Sequence, residues 1–434
     1  MNFSSTMTPD PMIPDSKILV VGTTEDYVAW LREATSGEAI FLVDEEGRSK
    51  RAPSLTPSGD EIITGLNTFQ GVWNALNGYL SQRRYALQGI VCFDCEYMAL
   101  TARLATRIGL SYPPLETILN CRDKFLSKSI WQRKGVPCPE ASQVSTLEEA
   151  LRFFSKVKAP SVLKPLTGSG SELVFFLKSE GEVREGFHKV KEGLEKRAGS
   201  AMYGEHRSPI MVMERFMEGE EYSCDFMIEK DRVDILRLAR KRPYPHGPFG
   251  TTWAYLLLDP SSLDSGRVSL GEIMRRAASA LGIGRAICMA DFIMKDGVPH
   301  LLEMTPRPGG DCLPHLLKAF FGFDMLKLAL DFSTSKPLLE KTDLGAMMKN
   351  PVAGVRIFAD KKGTLKKVHT ERLVDAFSVA DVYLKYPEGH LITLPPEDYD
   401  SWILGHVAIH LDPAKDLLSQ LLEIKNRIRV EMAP

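Results

Sequence analysis

One stretch of this 434-residue chain constrains the rest: Asp291-Phe-Ile-Met-Lys-Asp-Gly-Val-Pro-His-Leu-Leu-Glu303-Met-Thr-Pro-Arg307-Pro-Gly-Gly. The arm from Asp291 to Met294 is apolar apart from one acid, and Lys295-Asp296-Gly297 is a turn signal. The arm from Pro299 to Met304 stops at Pro306 and Pro308, which cannot donate to a ladder. The pattern predicts a β-hairpin. Side chains alternate along a strand, so Glu303, Thr305 and Arg307 share a face of an extended chain. Asp291 joins that face only if the hairpin loop has an odd number of residues. Two carboxylates on one rigid face repel each other unless a cation separates them. Their oxygens suit Mg²⁺, which completes its shell with water and substrate phosphates. An arginine beside them suits phosphate or another anion.

Upstream, short buried strands at 16–21, 39–43 and 89–93 alternate with helical spacing, which predicts a parallel sheet covered on both faces. The first turn reads Gly22-Thr-Thr-Glu-Asp, not GxGxxG, which argues against a nicotinamide or flavin enzyme. Asn120 is expected to cap a helix from about Cys121 to Lys134. The final stretch after 350 looks like a small α+β cap. A chain this long needs more than one core. The formal net charge of -2 gives no electrostatic case for nucleic acid or an anionic membrane. No stretch approaches the ~18 apolar residues that span a bilayer. Met1 to Asp15 is polar and is expected to be a flexible tail, neither signal nor lipidation site. Seven scattered cysteines fit a reducing cytoplasm, and Cys92 and Cys95, a CxxC without a companion pair, read as buried structural thiols.

Four further features precede the hairpin. Lys124 starts a helix, where its ammonium can lie beside a bound anion. Lys164 ends a buried strand and needs a partner, because a lone buried charge is costly. Thr167-Gly168-Ser169-Gly170-Ser171 can close over phosphates through its backbone N–H groups, although it is not a Walker A loop. Glu214-Arg-Phe216-Met217-Glu-Gly-Glu-Glu221 ends one strand and begins another. An adenine could lie against Phe216 and Met217 and bond to their backbone, with Glu221 accepting from ribose hydroxyls. Read singly, these are also a surface lysine, a hairpin loop and an acidic turn. The basic segment from Arg240 and Lys241 to His246 could bind a substrate carboxylate or phosphate, or be a solvated loop. Gly309 and Gly310 could approach substrate by backbone.

The order of helix lysine, strand lysine, Gly-rich loop, acidic hinge and carboxylate hairpin resembles the ATP-grasp superfamily over nearly the whole chain. Asn120 to Lys124, Leu163-Lys-Pro165, Glu214 to Glu221 and Leu302 to Gly310 look most like carboxylate–amine ligases of the L-amino acid (dipeptide) ligase type. The resemblance implies a chain of α/β and α+β units. After a tail at 1–15 would come a Rossmann-like N-terminal domain at 16–119 and an ATP-grasp lid or first lobe at 120–209. The second lobe with the metal site would span 210–349 and the C-terminal α+β cap 350–434. It further implies Lys124 and Lys164 on the α- and β-phosphates and the 168–171 loop over them. Glu214 and the Phe216 and Met217 backbone would hold adenine, with Glu221 on ribose. Asp291 and Glu303 would hold one or two Mg²⁺, with Mn²⁺ as an alternative, and Arg307 would bind the transferred phosphate. Thr305 stands where the family has Asn, and a hydroxyl is a poorer Mg²⁺ ligand than an amide carbonyl. The implied reaction is ATP-dependent ligation of a small-molecule carboxylate to an amine in the cytoplasm, by a protein of a family in which homodimers are common. Its rivals are another ATP-grasp reaction, of carboxylase or purine-pathway type, and nucleotide binding without turnover.

Overall fold

The computed structural model describes residues 15–46, 48, 58–203, 209–245, 247–263, 269–334 and 351–433. Residues 1–14, which hold most of the expected tail, and His246 lie outside them. The described residues build four sheets. The first is parallel, in the order Glu61–Thr64, Ala39–Asp44, Ser16–Val21, Ala86–Val91. Its central strands are buried on both faces, as their unbroken apolar runs require. The second is antiparallel, in the order Ala141–Val144, Met211–Arg215, Ser161–Pro165, Phe175–Leu177. Three short strands at 363–369, 391–392 and 429–432 form a small third sheet.

The fourth sheet carries the chemistry. Its eight antiparallel strands begin with the hairpin Arg285–Lys295 and Val298–Thr305, followed by Glu220–Glu229, Arg232–Pro243 and Thr252–Leu258. Val352–Phe358, Ile403–His410 and Val379–Leu384 complete it. The segment expected as a C-terminal cap therefore extends the sheet of the second lobe, with Ala254 paired to Val355. Leu270–Leu281 packs on one face of this sheet, burying Ile273, Met274 and Ala277 against Cys224, Phe226 and Phe292. On the other side, Leu313–Phe321 and Met325–Ser333 pack between it and the N-terminal sheet, where Leu316 and Leu326 share a core with Ile18, Phe41 and Ile287.

The expected helix from Cys121 to Lys134 is instead two helices. Leu115–Arg122 ends at Asp123, and Asp123, not Asn120, caps Lys124–Arg133. The Asp123 carboxylate accepts from the N–H groups of Phe125 at 2.9 Å and Leu126 at 2.7 Å, satisfying two orphan donors. Asn120 donates to the Leu281 carbonyl instead. Lys124 thereby becomes the first residue of the second helix.

The hairpin also departs from expectation. Its loop is Asp296-Gly297, two residues that both have positive φ, the backbone of a tight hairpin turn. With this even loop, regular pairing would set Asp291 across from Leu302. A β-bulge intervenes: the register shifts between Asp291 and Phe292, so that Phe292 faces Leu301 while Asp291 faces Glu303. Leu301 and Met304 both point into the core, and the two residues between them, Leu302 and Glu303, both line the cleft with Asp291. The carboxylates share a face because of the bulge, not because of an odd loop.

Candidate active site

A cleft of ≈ 1940 Å³ runs between the second and fourth sheets and reaches the N-terminal unit. Lys124, Lys164, the 168–171 loop, Glu214, Phe216, Met217, Glu221, Lys241, Asp291, Glu303, Arg307, Gly309 and Gly310 all line it. Arg240 and Thr305 do not line it. Arg240 pairs with Glu220 at 3.1 Å, as strand alternation dictates for the neighbour of Lys241. Thr305 is buried, and its hydroxyl has no hydrogen-bond partner among the described residues.

At the lobe junction, Lys164 finds the partner its burial demands. Glu214 Oε1 lies 2.9 Å from Lys164 Nζ and 2.8 Å from Lys128 Nζ, and Glu214 and Lys128 are both fully enclosed. Burial pushes the Glu214 carboxyl up, but the two lysines outweigh it and leave its pKa below the usual value. Lys128 also donates to the Leu302 carbonyl at 2.6 Å, a group that takes no part in the hairpin pairing. One buried ammonium thus ties the bulge of the carboxylate hairpin to the hinge glutamate. Lys128 was not singled out in the sequence, although it lies four residues after Lys124 on the same helix face.

Around the expected phosphate region, Lys124 Nζ donates to the Gly168 carbonyl at 2.8 Å, and its backbone N–H donates to Leu166. Burial lowers the Lys124 pKa to about 8, against the opposing pull of Glu303. Ser171 Oγ donates to the Gly250 carbonyl at 2.8 Å, latching the Gly-rich loop to the loop after the Arg232–Pro243 strand. Gly250 has φ +85°, and a Cβ there would lie 3.1 Å from that hydroxyl. The latch brings Phe249 over Phe176, stacked at 5.2 Å, and Phe176 against Phe216 at 4.6 Å. This is an apolar aromatic wall of the kind a purine can lie against. The Phe216 N–H already donates to Pro160 at 2.9 Å, so at that residue only the carbonyl is left for a base.

Lys241 is the cation of the carboxylate face. Its Nζ lies 2.8 Å from Asp291 Oδ2 and also pairs with Glu221. Burial opposes its charge, yet Asp291 and Glu221 together hold its pKa well above the usual lysine value. The ammonium marks where this face wants positive charge. Asp291 and Glu303, facing each other across the hairpin, are hard oxygen donors that fit Mg²⁺ in that place.

Arg307 extends from the hairpin toward the N-terminal unit. Its Nε donates to Cys95 Sγ at 3.1 Å and its Nη1 to the Pro308 carbonyl at 2.7 Å. All seven cysteines are free, and Cys92 and Cys95 are buried as expected. The following Gly309 rests on an enclosed ion pair. Asp225 Oδ2 accepts from Arg237 Nε at 2.7 Å, and Asp225 Oδ1 accepts from the Gly309 N–H at 2.8 Å. A Cβ on Gly309 would come within 3.0 Å of that carboxylate and 3.1 Å of the guanidinium. The sequence signalled Gly309 but not the pair beneath it.

The far end of the cleft is walled by Asp311, Arg356, Tyr255, Tyr383, His315 and His406. Arg356 Nε lies 3.2 Å from Asp311 Oδ2, and Tyr255 donates to the same oxygen at 3.1 Å. Arg356, Tyr383 and His406 come from strands after residue 350 and carried no motif in the sequence.

The family described as "ATP-grasp domain" matches residues 157–315, which contain the strand lysine, Gly-rich loop, hinge, hairpin and Arg307. The chain carries an ATP-grasp domain. The L-amino acid ligase from Bacillus licheniformis aligns with 96% of this chain and 99% of its own, with a TM-score of 0.75 at 19% identity, a likeness of fold. The alanine–anticapsin ligase of Bacillus amyloliquefaciens is 26% identical over 260 residues, 57% of this chain and 54% of that protein. The D-alanine–D-alanine ligase of Verminephrobacter eiseniae is 27% identical over 198 residues, 43% and 55% of the two chains. The chain spans little more than half the length of these two curated relatives. Among the described residues, no helix is long and apolar enough to cross a membrane.

Proposed function

We propose that the protein is an ATP- and Mg²⁺-dependent ligase that joins a carboxylate to an amine, acting on amino acids or small metabolite acids. The observation that carries this reading is the convergence of Lys124, Lys164, Asp291, Glu303 and Arg307 on one cleft. A carboxylate does not react with an amine at neutral pH, because its carbonyl is resonance-stabilised and its leaving group is oxide. Transfer of the γ-phosphoryl of ATP to a carboxylate oxygen gives an acyl phosphate and ADP. The amine then attacks the acyl carbon, phosphate leaves with the C–O bond pair, and the amine gives up a proton.

The chain's own groups supply position and charge for these steps. Lys124 and Lys164 hold the α- and β-phosphates, and Arg307 stabilises the transferred phosphoryl group and the tetrahedral intermediate. Adenine lies against the Phe176–Phe216–Phe249 wall and bonds to the hinge backbone, with Glu221 on ribose. Glu214 serves behind that wall as counter-ion to Lys128 and Lys164. Mg²⁺ held by Asp291 and Glu303 would neutralise charge on the phosphate oxygens during transfer. The burial of Thr305 away from the cleft supports leaving it out of the ligand set. The latched Gly-rich loop excludes water that would hydrolyse the acyl phosphate. The functional units in this reading are 16–119, 120–209, 210–349 and 350–434, the last two joined by one sheet. The setting is cytoplasmic and the assembly a homodimer, which light scattering tests.

ADP release measured across a panel of amino acids and small acids tests the reaction. Ligation requires ADP formation only with Mg²⁺ and a matching acid–amine pair, abolished in Glu303→Ala and Arg307→Ala. Thr305, in place of the amide the family pattern carries, favours a second reading, nucleotide binding without ligase turnover. ATP binding with no ADP from any pair would move the assignment to it.

A further inference from the structure

The wall of the cleft beyond Arg307 holds a second cluster of donors that the ligase reading does not use. His315 comes from the helix Leu313–Phe321, His406 from the strand Ile403–His410 and Asp381 from its neighbour Val379–Leu384. One nitrogen from each histidine and one oxygen of Asp381 all lie within 4.8 Å of one another. The two imidazoles are 5.0 Å apart, and the Tyr383 ring stacks at 4.7 Å from His315 and 5.2 Å from His406. Tyr383 is itself fixed by its hydroxyl, which donates to Asp26 at 3.1 Å. The rings are thus held by packing on rigid elements, as a metal site needs.

A second observation points to a ligand. His406 is 4% exposed, and its Nε2 has no hydrogen-bond partner among the described residues. A buried ring nitrogen without a partner is costly, and coordination to an ion is one way to satisfy it. Two imidazoles and one carboxylate are the donor set of borderline divalent ions, Zn²⁺ above all, rather than of Mg²⁺, which prefers carboxylates and water. Three atoms at the corners of a triangle with 4.8 Å sides lie about 2.8 Å from its centre, against about 2.0–2.2 Å for Zn²⁺ ligands. Closure therefore asks each side chain to move by less than about 1 Å, which small χ rotations provide.

We propose that His315, His406 and Asp381 form a transition-metal site for a Zn²⁺-class ion, separate from the carboxylate pair of the hairpin. Three protein ligands leave a tetrahedral ion one open position. His315 and His406 line the cleft, so that position is within reach of a nitrogen or oxygen atom of a bound small molecule.

The test is a Co²⁺ titration of the full chain, stripped with a chelator and held in excess Mg²⁺ so that the hairpin carboxylates are saturated. The expected result is one equivalent of Co²⁺ with the visible absorption of a four-coordinate nitrogen–oxygen site, displaced by Zn²⁺. It should be unchanged in Glu303→Gln, absent in His315→Ala, and weakened about tenfold or more in Asp381→Asn. His406 is buried and its replacement by Ala can unfold the protein; His315 and Asp381 are only partly buried, so their variants keep the test decisive. Absorption no different from aqueous Co²⁺, bands that survive in His315→Ala, or bands lost in Glu303→Gln alone would each overturn the proposal.

Discussion

Lys241 Nζ lies 2.8 Å from Asp291 Oδ2, so an ammonium sits against the carboxylate to which the proposed reading assigns a divalent cation. Metal and lysine then compete for the same carboxylate. Lys241→Met should tighten binding of Mn²⁺ in the absence of nucleotide by about fivefold, the worth of a partly exposed ion pair of about 1 kcal/mol. Electron paramagnetic resonance of free Mn²⁺ measures it. Weaker Mn²⁺ binding in the variant would show that the lysine supports the site rather than competes for it.

On the proposed reading, Lys124 gives nucleotide binding a pH dependence. Burial lowers its pKa to about 8, with Glu303 pulling the other way. Its ammonium is therefore present below pH 7 and lost as pH rises through 8 in the free protein. ATP binding favours the charged form, so above pH 8 binding takes up a proton. The Kd for Mg²⁺-free ATP should rise with pH, by at most about tenfold per unit. Lys124→Arg, which stays charged, should flatten the profile. Calorimetry in buffers of different ionisation enthalpy counts the proton directly.

Glu214 holds two lysine ammoniums at 2.8 and 2.9 Å in the lobe junction. Glu214→Gln leaves both without their counter-charge and should cost about 3–5 kcal/mol in urea unfolding. Adding Lys128→Met should recover part of that loss, because the uncompensated buried charge goes with it. A loss no larger in Glu214→Gln than in a surface control would mean that water reaches the lysines.

Gly309→Ala drives a methyl group toward Asp225 and Arg237, which are themselves enclosed. Overpacking there should cost about 1–3 kcal/mol. The displaced backbone carries Arg307 with it, so kcat should fall while the Kd for ATP stays near its original value. Equal losses in both would place the glycine in nucleotide binding.

Most of the architecture was legible because it rests on local patterns. The doubly buried runs at 16–21 and 39–43 specified a parallel sheet, and Lys164 announced that it needed a partner. What stayed hidden depends on geometry between distant segments. No rule of alternation reveals the bulge at Leu302, which comes from Leu301 and Met304 both demanding the core. Asp123 and Asn120 are nearly equal as caps, and only the fold decides between them. Arg356, Tyr383 and His406 reach the cleft through strand pairing from about 50 to 100 residues beyond the hairpin, and nothing around them in the sequence says so.

The pairing of Ala254 with Val355 has a consequence for how this module can be used. ATP-grasp parts invite treatment as a cassette that could be excised or exchanged. Here the strand Thr252–Leu258 would be left with an unpaired row of N–H and C=O groups on an apolar edge, an invitation to aggregate. The region matched as an ATP-grasp domain and the C-terminal fifth share one sheet, so a chimera would have to inherit both.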